Sequence, residues 1–94
     1  MSKRNGVKVL VWQDIFSRMA RGEVAKVTPT VTDCMPQGPG TAGRRVQVNG
    51  HEAVLTQGTK NDPRTFTSLD GCSVAFSSLD DAVAAVALYL SEYV

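Results

Sequence analysis

The chain has one histidine, two cysteines, and no apolar run approaching the ~18 residues that a bilayer-spanning helix requires. Each scarcity removes a class of protein. A structural metal site takes about four ligands of the His, Cys, Asp and Glu type. With His51 alone beside Cys34 and Cys72, and no ligand-like spacing, no metal is expected. Two cysteines are too few for the disulfide framework of a small secreted domain. Residues 7–12 are apolar apart from Lys8 and run straight into Gln13 and Asp14, so they are too short for the core of an export signal. The expectation is a cytoplasmic chain with two reduced thiols and no membrane partner.

Catalytic signatures are equally sparse. Gly38, Pro39, Gly40, Thr41, Ala42 and Gly43 form a glycine-rich stretch. A phosphate-binding loop continues with Lys-Ser/Thr, because the lysine reaches the phosphates and the hydroxyl reaches magnesium. Here Arg44 and Arg45 follow and lead into a strand-like pattern, so no nucleotide cofactor is expected. His51 and Glu52 are neighbours on a predicted strand and point to opposite faces. No carboxylate pair has the spacing of a hydrolase or of a calcium loop. The chain reads as a non-enzyme that needs no cofactor.

What is present is an ordinary folding composition, 43% hydrophobic and 20% charged, which supports one domain at 94 residues and no second one. Net charge is +1, unevenly spread. Residues 1–45 hold eight basic and three acidic groups, net +5; residues 46–94 hold two basic and six acidic, net −4. If folding preserves that asymmetry, the surface is dipolar and suited to steering a partner or to self-association.

Residues 1–6 read as a flexible basic tail, and residues 7–94 as the domain. Residues 7–12 admit two readings. Their β-branched side chains favour a strand, and their position before a helical pattern favours an early helix start with Asn5 as cap. From there Trp12, Ile15, Phe16 and Met19 recur at helical spacing, Asp14 can support Arg18 one turn on, and Gly22 supplies a stop. Residues 23–32 read as extended, with Pro29 marking an edge or interrupted strand. Residues 33–43 read as a loop. Asn49 and Gly50 then predict a type I′ hairpin that pairs Val48 with His51, Gln47 with Glu52 and Val46 with Ala53. Residues 64–69 return as a strand that Asp70-Gly71 can turn into residues 72–76, with Cys72 then on the apolar face beside Val74 and Phe76; the alternative is one long irregular excursion over residues 64–76. Ser77 or Ser78 caps a final helix, with Asp80 and Asp81 in its first turn. The expected fold is α+β: a two-layer sandwich of a three- to five-stranded antiparallel sheet with an N-terminal and a C-terminal helix.

Three functions compete on this frame. The final helix is apolar over more than half its circumference, so a core or a second chain must cover it. Val83, Val86, Ala87, Leu90 and Tyr93 form the candidate interface. With the charge asymmetry and an edge strand, this favours a small accessory or regulatory protein that binds a protein partner or itself as a homodimer. The alternative is nucleic-acid binding through Lys3, Arg4, Lys8, Arg44 and Arg45. Double-stranded RNA binding modules share the element order, but they need lysines where the last helix here opens with Asp80 and Asp81. A small enzyme or phosphate binder ranks third.

Overall fold

The computed structural model describes residues 2–36, 40–69 and 72–93, with side chains from Leu10 onward except those of Ser68, Leu69 and Cys72. The order is α1 (Ser2–Ala20), β1 (Thr30–Cys34), β2 (Ala42–Val48), β3 (His51–Gln57), β4 (Thr65–Leu69), β5 (Cys72–Phe76) and α2 (Leu79–Glu92). The strands form a five-stranded antiparallel meander in chain order, flanked by the N-terminal and C-terminal helices. This is the expected α+β architecture at the upper end of its strand range.

Residues 7–12 belong to α1, and so do residues 2–6, which read as a tail; Asn5 lies inside the helix and does not cap it. The preference of valines for strands is overridden because one helical face of this segment packs. Trp12 and Ile15 are buried, with Val11 and Met19 partly so. The helix ends in a Schellman motif: the amide of Gly22 donates to the carbonyl of Met19, and that of Glu23 to the carbonyl of Arg18. Gly22 has φ of 85°, a conformation that costs glycine little.

The hairpin has the predicted register, with Val48 opposite His51, Gln47 opposite Glu52 and Val46 opposite Ala53. Asn49 and Gly50 both have positive φ, as a type I′ turn demands. Of the extended stretch expected over residues 23–32, only residues 30–32 are strand: edge strand β1 begins immediately after Pro29, which lacks the amide a ladder needs. The connection beyond it is shorter than the predicted loop. β1 runs on to Cys34, which pairs with Gly43, so both strands extend into that stretch. Gly43 has no room for a side chain, since an added Cβ would lie 2.6 Å from the carbonyl oxygen of Met35. Gly38 and Pro39, the Asp70-Gly71 turn and the Cys72 side chain lie outside the described residues.

One sheet face carries Val46, Val48, Ala53, Leu55 and Phe76, all buried beneath the helices. The Thr65 and Thr67 side chains are also buried there; the Thr67 hydroxyl donates to the Val54 carbonyl. α2 packs on β2 to β5, and α1 packs on α2 and β5. Their seam is aromatic. Trp12 stacks on Tyr89 at 5.3 Å between centroids and meets Phe76 edge-on at 6.1 Å. The helix layer stops short of β1.

Candidate functional site

The two functional patches suggested by sequence are both redistributed by the fold. Arg44 and Arg45 are consecutive in β2, so they point to opposite faces of the sheet. Arg44 pairs with Asp33 at 3.3 Å on the helix side, and Arg45 with Glu52 at 2.8 Å on the open side. Each arginine is thus neutralised by a neighbouring strand, and the two do not converge. Lys3, Arg4 and Lys8 belong to the first half of α1, and their side chains lie outside the described residues.

Of the apolar set, Val86, Ala87 and Leu90 are buried in the protein's own core, so the apolar face of α2 is covered by the β-sheet and α1 of the same chain. Tyr93 stacks on Tyr89, and its hydroxyl donates to Asp14 and accepts from Arg18. Arg18 reaches Glu23 and Glu92, each at 2.9 Å, instead of pairing with Asp14. This network ties the ends of the two helices together. Arg18 is held firmly protonated, chiefly by Glu92, then by Tyr93 and Glu23. Glu23 is held below the usual carboxylate range by Arg18, then Arg21. The Tyr93 phenol is pushed up, first by its bond to Asp14 and then by burial, against an opposing effect of Arg18.

Val83 and the edge of Ala87 face a different environment. Together with Leu79 and Ala84 they form one wall of an open groove of about 450 Å³. The opposite wall is the segment leading into β1, with Val24, Val27 and Pro29, and then Val31 of the strand itself. The lining is aliphatic except for Thr28 and Asp80. The groove exists because no helix packs on β1 and because alanines at 84 and 87 leave the flank of α2 low. Val24 is 72% exposed and Val31 41%, although Val31 pairs with Val46 and shares its core-facing side of the sheet. Met35, just past β1, is 83% exposed.

Sequence reasoning found Val83 and Ala87 but not their partners Val24, Val27 and Val31. The available signal was weak: Val24, Val27 and Val31 are spread along a stretch interrupted by Lys26, Thr28 and Pro29. Among the described residues no group of three or more His, Cys, Asp or Glu side chains is placed to hold a metal ion. No described helix is long and apolar enough to cross a membrane. Every buried side-chain nitrogen or oxygen among the described residues has a hydrogen-bond partner. No family model matches the chain, and no curated protein and no solved structure is found similar to it.

Proposed function

We propose that this chain is a small non-enzymatic accessory protein that works by binding another protein along the groove between β1 and α2. The observation that carries the reading is the row of partly exposed valines, Val24, Val27 and Val31, facing an alanine-floored helix flank beside a free strand edge. Fully burying a valine is worth about 1.5–3 kcal/mol. Three that are partly exposed supply roughly 2–4 kcal/mol on being covered, so the interaction is weak and reversible unless the strand edge adds hydrogen bonds. The ion pairs of Arg44 and Arg45 weigh against nucleic-acid binding, because each cation already has a carboxylate partner.

Titration of the isotopically labelled chain with short peptides tests the reading. One set of peptides is amphipathic and helical; a second is extended and valine-rich; mixed oligonucleotides form the third probe. The expected result is amide shifts at Val27, Val31, Val83 and Ala84 with one peptide set, insensitive to salt and abolished by Val24→Glu. Shifts confined to β2 around Arg44 and Arg45, produced by oligonucleotides and collapsing steeply with salt, overturn it.

A further inference from the structure

We infer that the partner is a second copy of this chain, joined edge to edge through β1 about a two-fold axis at Thr32. The inference rests on the interaction surface proposed above and names its occupant. β1 is an edge strand with a single neighbour, and Thr30 to Asp33 are all exposed. A free edge of this kind pairs with another strand unless something prevents it. The usual protections are a charge or a proline within the strand. Pro29 lies before the strand rather than inside it, and the one charge, Asp33, is exposed but partly offset by Arg44 of the neighbouring strand at 3.3 Å.

The sequence of β1 is compatible with its own antiparallel copy. With the axis at Thr32, all five residues pair. Thr32 meets Thr32 of the second copy, a favourable cross-strand pair, and Thr30 meets Cys34. Asp33 then faces Val31 of the second copy and not another Asp33. Shifting the axis to Asp33 sets the two carboxylates directly opposite, which is unfavourable. Closed two-fold pairing also leaves no open end to polymerise through β1. A net charge of +1 offers little self-repulsion to oppose association.

Pairing joins the two grooves. Val31 shares the side of the sheet that faces α2, so both copies place this valine on the same side of a continuous ten-stranded sheet. The grooves merge into one trough floored by both β1 strands and walled by the two α2 helices. Val24 and Val27 of each copy border it. The interface is small, so the dimer is concentration-dependent.

The test uses the full chain. Thr30→Cys places a thiol opposite Cys34 of the second copy, at the roughly 4.5–5.5 Å of directly paired residues, within disulfide range. Cys34 and its own counterpart sit about 13 Å apart in this register. The expected result is a dimer by light scattering whose mass falls on dilution. Mild oxidation cross-links Thr30→Cys but not the parent chain, and Cys34→Ser abolishes the link. Thr32→Glu puts two carboxylates face to face at the axis while each keeps Arg45 beside it on β2. It is expected to weaken dimerisation at least tenfold, partly restored by salt, with thermal unfolding of the monomer unchanged. A monomer at every concentration overturns the inference, as does a dimer that neither cross-links through Thr30→Cys nor responds to Thr32→Glu. If the chain is monomeric yet peptides still shift the groove amides, the groove reading stands and only self-pairing fails.

Discussion

Ser77 and Ser78 stand side by side before α2, and sequence treats them as equivalent caps. The fold separates them. Ser78 has extended backbone geometry, and its hydroxyl accepts the amide of Asp81 at 3.1 Å. The Ser77 hydroxyl reaches only the Asp81 carboxylate, at 3.5 Å. Ser78→Ala is therefore expected to cost about 1 kcal/mol in urea denaturation, the usual worth of an N-cap. Ser77→Ala should stay within about 0.5 kcal/mol. Equal losses would show that the cap is shared. That a serine caps this helix was legible, because serine before a carboxylate-rich apolar run has a mechanism. Which serine does so depends on the dihedral angles with which β5 delivers the chain.

At the scale of the element, α1 shows where local preference loses to packing. Residues 7–12 carry the β-branched side chains of a strand, yet they are helical because Trp12 and Ile15 must reach α2 and β5 on one face. Trp12 touches Tyr89, Phe76 and Phe16, whereas Leu10 is 64% exposed. Trp12→Ala is expected to lose about 3–5 kcal/mol, with collapse of the near-ultraviolet circular dichroism. Leu10→Ala should change stability by less than about 0.5 kcal/mol. A large loss at Leu10 would mean that the helix buries a different face in solution. The β2–β3 hairpin is the opposite case: turn chemistry and alternation agree there, so even its register was readable before any tertiary contact.

For the molecule as a whole, the charge asymmetry of the sequence is offset in part within the fold. Arg18 pairs with Glu92 and Arg45 with Glu52, each joining the basic half to the acidic half. The helix-end network then sets how stability responds to pH. Because folding raises the Tyr93 pKa, its contribution is present below the ordinary tyrosine value of about 10 and is lost as pH rises through the higher folded value. Glu23 is lowered, so its contribution is present above the ordinary carboxylate value and is lost as pH falls through the folded one. Thermal unfolding across pH is expected to show a plateau with losses at both ends. Tyr93→Phe should blunt the alkaline loss and Glu23→Gln the acid one. An unchanged alkaline limb in Tyr93→Phe would detach this network from the stability of the helix pair.

Sequence by itself determined the elements that answer to short-range rules: the type I′ turn, the glycine stop of α1, the acidic start of α2 and the α+β order. It also placed Val83 and Ala87 among the residues of interest. Tertiary structure alone decided that Val86 and Leu90 belong to the core, that Arg44 and Arg45 face apart with separate carboxylates, and that Val24, Val27 and Val31 meet the flank of α2. The reason is that two helices roughly 10 Å apart cover about four strands spaced near 4.8 Å. Which strand of five is left uncovered depends on how the layers stack, a property that no local pattern encodes.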